Sequence, residues 1–330
     1  MAVAERATLS SILRRFPPVE FAMAYGSGVV PQAGRGPDPT TTMVDFIFGV
    51  RDSPSWHADN MDQHPRHYSC LARLLGPGGV SRMQRTAAGV HFNTLVPYDE
   101  RTMIKYGVIA VEDLVHDLRT WSTLYVSGRM QKPQTILAST DEIDRWSACN
   151  LRQAFLSALV MQPARFTEHD LFMTIAGLSY SGDIRMHIGM GENPRKVANI
   201  VNVNRDGFRR LYAPCFEYAD RLGYLRPEAD GSRFQRVLDL HHLCGMFARL
   251  PDHLRDLCFR ECRAVGDATQ AASWRHALVS VESAARVLRR CIGRIGQRAS
   301  FWQTLKGVYS AGVAKSIQYA YRKVAKSRQT

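Results

Sequence analysis

The chain has 330 residues, of which 45% are hydrophobic and 22% charged, a composition typical of a globular protein with room for two domains. No window approaches the roughly 20 consecutive apolar residues that a membrane-spanning helix needs, which argues against an integral membrane protein. Seven scattered cysteines, an odd number, favour free thiols in a reducing compartment over a disulfide framework.

Most of the net charge of +13 lies at the C-terminal end of the chain. Residues 283–330 contain 11 Lys or Arg residues and no Asp or Glu, which leaves about +2 for residues 1–282. A nearly neutral body argues against a long nucleic-acid groove. Any attraction to an anionic partner is therefore predicted to come from the basic tail.

In chain order, the pattern first predicts a short helix over residues 10–16 and a strand over residues 19–29. That strand leads into the turn Gly26-Ser27-Gly28. Because glycine has no side chain, backbone N–H groups of such a turn can approach a phosphate closely. Glu5 interrupts the basic pattern before this helix, so no targeting segment is read from it.

The next predicted strand, over residues 44–50, is an almost continuous apolar run that contains Asp45. A carboxylate is costly to bury without a cation or hydrogen-bond donors, so Asp45 is a candidate ligand for a divalent cation. A Gly-Ser turn followed by such an Asp resembles the nucleotidyltransferase pattern of the polymerase-beta-like superfamily. Many of those proteins carry a second acid two residues later, where this chain has Ile47, so Asp52 is a candidate second metal ligand.

Residues 53–69 are rich in polar and aromatic side chains, including three histidines, whose spacing fits no common zinc site. We expect them at the surface or in contact with substrate. Two further strands are predicted over residues 90–96 and 103–109. Lys105 on the second is placed to contact phosphates, with a lysine on an edge strand as the alternative.

Helical periodicity dominates from residue 111 to residue 178, where Thr167 begins a capping pattern. Two segments there combine glycine with polar or basic residues. One carries Arg129 and Lys132, and the other is the run Ser179-Tyr180-Ser181-Gly182-Asp183. Short helices with a strand predict a helical or winged-helix-like domain, and a plain helical bundle is the alternative. Further on, His241, His242, Cys244, Cys258 and Cys262 are interpreted as buried helix residues rather than metal ligands.

The tail from residue 301 repeats apolar residues at steps of three and four, with basic residues on the opposite face. Such a helix suits an anionic bilayer surface. The alternatives are a C-terminal helix docked on the body and a nucleic-acid-binding helix. The predicted membrane-binding residues are Trp302, Lys306, Lys315, Arg322, Lys323 and Lys326.

Several separate segments together resemble the family of mitochondrial phosphatidate cytidylyltransferases, also described as translocator assembly and maintenance proteins. They are residues 25–29, 45–48, 56–57, 67–69, 104–109, 124–133, 176–186 and 304–312. The resemblance implies the Mg²⁺-dependent reaction of CTP with phosphatidic acid to give CDP-diacylglycerol and pyrophosphate, which feeds cardiolipin and phosphatidylglycerol synthesis. It also implies a peripheral enzyme on the matrix side of the mitochondrial inner membrane. No nucleic-acid partner is expected, and the oligomeric state is left open.

On this interpretation, Asp45, Lys105 and Asp183 are catalytic, and Asp45 with Asp52 binds the metal, Asp183 being the other candidate for the second carboxylate. The expected substrate-binding residues are Gly26, Ser27, Gly28, Arg129, Lys132, Ser179, Tyr180 and Ser181. The expected fold is α+β, with a nucleotidyltransferase domain (1–115), a helical or winged-helix-like domain (116–215), a helical region of unknown role (216–295) and an amphipathic tail (296–330). The competing hypotheses are a nucleotidyltransferase acting on RNA or a small soluble acceptor, and a non-enzymatic membrane assembly protein.

Overall fold

A computed structural model describes residues 6–29, 42–100, 102–182, 195–229, 231–265 and 280–311, and it confirms an α+β protein. Eight strands are assigned in these ranges: β1 Phe21–Tyr25, β2 Thr42–Val50, β3 Val90–Pro97, β4 Thr102–Ala110, β5 Thr135–Ala138, β6 Arg165–Thr167, β7 Leu225–Pro227 and β8 Arg233–Arg236. The helices of the same ranges are α1 Arg6–Leu13, α2 Ser53–Gln63, α3 Cys70–Gln84, α4 Val111–Thr120, α5 Ser127–Met130, α6 Asp141–Met161, α7 Glu168–Leu178, α8 Lys196–Val203, α9 Arg205–Arg221, α10 Leu240–Ala248, α11 Asp252–Val265 and α12 Val281–Ala311. A single 3₁₀ turn, Pro65–His67, separates α2 from α3.

Five strands form a mixed sheet in the order β3-β4-β2-β1-β5. Strands β2 and β4 are parallel and the other neighbours are antiparallel. The central place of β2 explains its apolar run, because both of its faces are covered. The register sets Asp45 opposite Tyr25 of β1 on one side and opposite Lys105 of β4 on the other.

The two faces of this sheet pack against different elements because side chains alternate along a strand. Phe46, Phe48 and Tyr106 belong to the apolar cluster that contains the buried residues of α1. Ile47 belongs to the opposite cluster, together with Leu114 of α4. Asp45 precedes Ile47 by two residues and so lies on the α4 side of the sheet.

Part of the polar segment at residues 53–69 is buried. The side chains of Trp56, His57, Asn60 and Tyr68 lie inside the fold, which corrects the expectation of surface or substrate-contacting side chains for these four, whereas His64 and His67 are partly exposed. His57 lies 2.8 Å from the Tyr68 hydroxyl and 2.9 Å from the Gln84 side-chain oxygen, and Asn60 donates to the hydroxyls of Tyr68 and Tyr106. Burial lowers the pKa of His57 to about 4, so its ring is neutral at physiological pH. These buried side chains therefore hydrogen-bond with one another rather than with a substrate or the solvent.

A second unit contains the antiparallel sheet β6-β8-β7 and the helices from α6 onward. One continuous apolar core includes Phe155 and Phe172 and also Phe247 and Leu288, so residues 216–295 contribute to the same core as the residues before them. Thr167 and Asp170 form the predicted capping box at the start of α7.

The cysteines and histidines between residues 241 and 262 differ in how deeply they are buried. Cys258 and Cys262 are buried in the core of the second unit, as predicted. His241 is exposed, and His242 takes part in the capping box that Asp239 forms at the start of α10, so the prediction of burial is wrong for these two residues.

Helix α12 spans both units. Its first half contributes Leu288 and Ile292 to the second core, and its last described turns pack against β3 and α3. Gly296 allows a close approach, because a Cβ atom there would lie 2.2 Å from the carbonyl oxygen of Ser181. Neither α12 nor any other helix within the described ranges is long and apolar enough to cross a membrane.

Lys306 of α12 is buried, so its assignment as a membrane-binding residue is wrong. Its ammonium group donates to the carbonyl oxygens of Gln84 at 3.0 Å and Thr86 at 2.7 Å, directly after α3. Burial lowers the pKa of Lys306 to about 7, an effect that the nearby Asp113 partly opposes. The same helix leaves Trp302 half exposed. Lys315, Arg322, Lys323 and Lys326 lie outside the described residues.

The buried Lys306 makes stability depend on pH in a definite direction. Its pKa is about 7 in the folded chain and near its ordinary value of 10.5 when unfolded, so between these values the unfolded chain binds more protons. The free energy of unfolding therefore rises with pH in this window, by up to about 1.4 kcal/mol per pH unit from this group. We expect Lys306→Met to reduce that slope in urea denaturation between about pH 7 and about pH 9. Arg298→Met, an exposed site on the same helix, should keep the wild-type slope, and equal slopes in all three proteins would contradict the assignment.

Candidate functional site

The glycine-rich turn folds back onto β2 beside Asp45. Gly26 has a φ of +80°, in the left-handed region that glycine adopts without strain, and its carbonyl accepts from the Val29 N–H at 3.1 Å. A Cβ atom on Gly26 would lie 3.0 Å from a carboxylate oxygen of Asp45, and one on Gly28 would lie 2.3 Å from the Met43 carbonyl oxygen. The absence of side chains at these positions therefore lets the turn reach the carboxylate.

Asp45 forms an ion pair with Lys105 across the parallel strands β2 and β4. The ammonium nitrogen lies 3.8 Å from the carboxylate, and the two side chains are only 17% and 20% exposed. Lys105 also lies 4.7 Å from the centre of the Phe92 ring. The carboxylate is thus placed between a cation and the Gly26–Gly28 turn, in a partly desolvated position where charges interact more strongly than in bulk water.

Arg129 extends the site away from the sheet. Its guanidinium carbon lies 5.6 Å from the centre of the Tyr25 ring and 3.8 Å from that of Tyr125, and it donates to the Tyr125 carbonyl. Burial raises the pKa of Tyr25 to about 12, so this phenol stays neutral beside Asp45. The two tyrosine rings hold the planar guanidinium by cation–π contacts, a geometry that arginine favours over lysine.

Lys132 joins this group to the end of α7. Its ammonium donates to the Gly128 carbonyl at 2.6 Å and to the Ser179 hydroxyl at 2.7 Å, and it lies 5.0 Å from the Tyr180 ring centre. Burial lowers the pKa of Lys132 to about 7, and the charges of Arg129 and Lys196 act in the same direction. A bound anion would oppose this shift and keep the ammonium charged.

Close packing holds this half of the site in place. A Cβ atom on Gly128 would lie 2.4 Å from the Ser179 Cβ, so the α5 backbone and the end of α7 can approach only because residue 128 is glycine. Ser181 donates its hydroxyl to the Gly177 carbonyl at 3.1 Å. The structure thus brings Arg129 and Lys132 together with Ser179 and Tyr180, as the sequence predicts.

Asp52 lies far from Asp45, and the predicted pairing of these two carboxylates is not formed. They are seven positions apart along and just beyond β2, which corresponds to roughly 23 Å at the rise of an extended strand. Asp52 is the N-cap of α2, where it accepts from the Ser55 hydroxyl at 2.8 Å. Asp183 lies outside the described residues. Its neighbour Gly182 packs closely against Gly293 of α12.

Lys196 is a basic residue of this region that the sequence prediction did not single out. It is the first residue of α8, and its ammonium lies 5.3 Å from the Tyr180 ring centre, so one ring is approached by both Lys132 and Lys196. The signal in the sequence was a basic residue at the start of a helix after a Gly- and Pro-containing loop. Only the fold shows that this helix begins beside the Arg129 and Lys132 segment.

These residues define the class of site. One partly buried carboxylate and a glycine-rich turn lie beside Lys105, and Arg129, Lys132 and Lys196 extend the positive charge. Within the described ranges, no cluster of three or more His, Cys, Asp or Glu side chains is placed to hold a metal ion without further ligands. The clustered positive charge of this α+β protein suits a phosphate-bearing ligand, and the Asp45 carboxylate lies beside it in an ion pair with Lys105.

Comparison with known proteins identifies the family. Residues 9–326 match the family model described as phosphatidate cytidylyltransferase, mitochondrial. Proteins with that name are 39% identical to the chain in Drosophila melanogaster, 37% in Schizosaccharomyces pombe and 36% in Danio rerio. The alignments cover 94–96% of this chain and 96%, 80% and 93% of those relatives, respectively. The chain belongs to the mitochondrial phosphatidate cytidylyltransferase family.

The close approach at Gly28 can be tested by substitution. We expect Gly28→Ala to lower the free energy of unfolding by about 1–3 kcal/mol, because the added methyl group would collide with the Met43 carbonyl. The measurement is urea denaturation of both proteins. Gly78→Ala is the matched control, since a Cβ atom there meets nothing within 4 Å. Equal losses in the two variants, or none at Gly28, would contradict the described turn.

Proposed function

We propose that this site transfers the cytidylyl group of CTP to phosphatidic acid, giving CDP-diacylglycerol and pyrophosphate. The family relationship supports the activity, and the single structural observation that carries it is the position of Asp45 between Lys105 and the Gly26–Gly28 turn. In the proposed reaction, an oxygen of the lipid phosphate forms a bond to the α-phosphorus of CTP. The bond from that phosphorus to the β-phosphate oxygen breaks, and pyrophosphate leaves with the electron pair.

We further propose that the first unit is a nucleotidyltransferase domain of the polymerase-beta-like kind and the second a winged-helix-like domain. The mixed sheet, with the glycine turn beside a carboxylate on its central strand, supports the first assignment. The three-stranded sheet β6-β8-β7, whose last two strands follow the helices α7 to α9, favours a winged-helix-like domain over a plain helical bundle.

Mg²⁺ is the proposed cofactor, and the described residues would supply it with one carboxylate ligand. This ion commonly binds proteins through one or two carboxylates and completes its shell with water and substrate phosphates. Asp45 provides one carboxylate beside the proposed phosphate cradle, and Asp183 is the proposed source of a second, in preference to Asp52. When bound, Mg²⁺ would neutralise charge on the phosphates.

The residues of the chain would act mainly by positioning and by neutralising charge. The backbone of residues 26–28 and the Lys105 ammonium would bind the outer phosphates of CTP. Arg129, which packs between the Tyr25 and Tyr125 rings, and Lys132, which contacts Ser179 and Tyr180, would bind the triphosphate or the lipid phosphate. The lipid phosphate is already an anion near neutral pH, so no strong general base is needed. Preorganised cations of this kind are worth most where charge moves onto the leaving group.

We propose a peripheral location on the matrix side of the mitochondrial inner membrane, where an insoluble lipid substrate has to be reached. The names of the relatives place them in mitochondria. Phe301, Trp302 and Leu305 of α12 are exposed apolar side chains that support a membrane-facing tail. The sequence beyond Ala311 adds Lys315, Arg322, Lys323 and Lys326.

Asp45 and Asp52 form a matched pair for testing the active site. We expect Asp45→Asn to lower the rate of pyrophosphate release by about 10²–10³-fold, because the substitution removes the only charged oxygen ligand proposed beside the turn. Asp52→Asn should retain near wild-type activity, since Asp52 caps α2. The assay contains CTP, Mg²⁺ and phosphatidic acid in mixed micelles. An inactive wild-type protein, or an Asp45→Asn variant as active as wild type, would overturn the proposal.

The basic tail can be removed without touching the Lys306 contact. A chain ending at Ala311 keeps Gln303 and Lys306, whose side chains donate to carbonyls of the first unit. It loses five basic residues, each worth about 1 kcal/mol near an anionic surface, so we expect flotation with cardiolipin-containing vesicles to weaken more than about a hundredfold. Binding of CTP should be unchanged. Undiminished flotation would show that the tail is not the anchor.

A further inference from the structure

Helix α3 exposes three leucines on one side of its first two turns. Leu71, Leu74 and Leu75, which we term the leucine ridge, are 41%, 84% and 45% exposed. Their spacing of three and four residues places them on a single helical face. Ala72 of the same turns is buried and faces the body. Isolated exposed leucines are common, but three on one face with one almost fully solvated is an apolar patch.

The ridge lies on a short helical segment with a defined start and end. The Ser69 side chain caps the start of α3 by accepting from the Ala72 N–H at 3.2 Å. Gly76, with a φ of +65°, and Pro77 then interrupt the helix directly after the ridge. A Cβ atom on Gly76 or Gly78 would meet nothing within 4 Å, so the bend has open space next to these two glycines. The leucines thus lie on a short, capped helical segment at the surface.

The surroundings of the ridge are basic. From residue 63 to residue 98 the sequence contains no Asp or Glu, and it contains four arginines, all exposed. They are Arg66, Arg73, Arg82 and Arg85. An apolar ridge with exposed arginines in the same segment matches an anionic lipid surface, whose headgroups attract the arginines while its acyl region accepts the leucines.

The ridge also belongs to an element that the C-terminal helix contacts directly. Lys306 of α12 donates to the carbonyl of Gln84, the last residue of α3, and to that of Thr86. One turn before Lys306, α12 exposes Trp302, which the sequence already associates with the membrane. Two exposed apolar groups therefore lie on two helices that are fixed to each other by a buried contact.

We propose that the leucine ridge inserts into the interface of an anionic bilayer, as a second membrane contact in addition to the C-terminal tail. The choice of a membrane over a protein partner rests on the four exposed arginines of residues 63–98, a segment without acidic residues, and on the proposed lipid substrate. Two separated contacts would orient the protein on the bilayer, whereas a tail alone would only tether it.

The first test is vesicle cosedimentation of the full-length protein, without nucleotide. Vesicles contain phosphatidylcholine with or without phosphatidylglycerol. We expect the double variant Leu71→Gln/Leu74→Gln to require at least about tenfold more anionic lipid for half-binding, since two side chains lose favourable transfer from water. Leu240→Gln, at an exposed leucine on α10, is the matched control and should bind like wild type. Equal binding by all three proteins would overturn the proposal.

A second measurement reports insertion directly. Cys70 is the one exposed cysteine among the seven, and it precedes the ridge by one residue. An environment-sensitive fluorophore on Cys70 should shift to shorter wavelength with anionic vesicles and should not shift in the double variant. If the ridge instead joins two copies of the chain, the double variant will change a concentration-dependent sedimentation coefficient and leave the vesicle shift intact, which would refute membrane insertion. Neither readout needs turnover, so a failure of the proposed reaction leaves this test decisive.

Discussion

The need to neutralise one carboxylate on the central strand of the sheet governs the rest of the site. Asp45 lies on β2, between β1 and β4, where a bare carboxylate would be costly. The parallel register supplies Lys105 directly opposite, and the glycine turn approaches the carboxylate closely because Gly26 has no side chain. The Lys105 ammonium, 3.8 Å away, offsets the negative charge of Asp45 and leaves its side chain 20% exposed. The carboxylate therefore stays open to the divalent cation that we propose it shares with the phosphates of CTP.

The second half of the site depends on close approaches of backbone that only glycine permits. Gly128 lets α5 reach Ser179, while Gly182 and Gly296 let the turn after α7 lie against α12. The positions of Lys132 and Tyr180 follow from these contacts, because both residues are attached to the segments that the glycines bring together. Glycines that look like flexible connectors in the sequence are thus packing residues in the fold.

The sequence could predict those features of the structure that neighbouring residues determine. The strands around Asp45 and the capping box at Thr167 were predicted because periodicity and caps are properties of neighbouring residues. Asp52 was wrongly paired with Asp45 because residues that are close in sequence along an extended strand lie far apart in space. Lys306 was misplaced because its partners lie more than 200 residues away in the chain. Lys196 was missed because its neighbours at the site are distant in sequence. The burial of His57 was missed because it depends on side-chain contacts with Tyr68 and Gln84.

The contact that buries Lys306 also determines which residues of α12 are exposed. Gln303 and Lys306, three residues apart, donate to carbonyls of the first unit, and together they fix the rotation of the helix about its axis. With that face turned inward, Trp302 and Leu305 have to point outward. A helix that was free in solution could rotate its charges toward lipid and hide its aromatics. In this chain the rotation is already set, so at the membrane contact that we propose α12 would present these apolar side chains rather than Lys306.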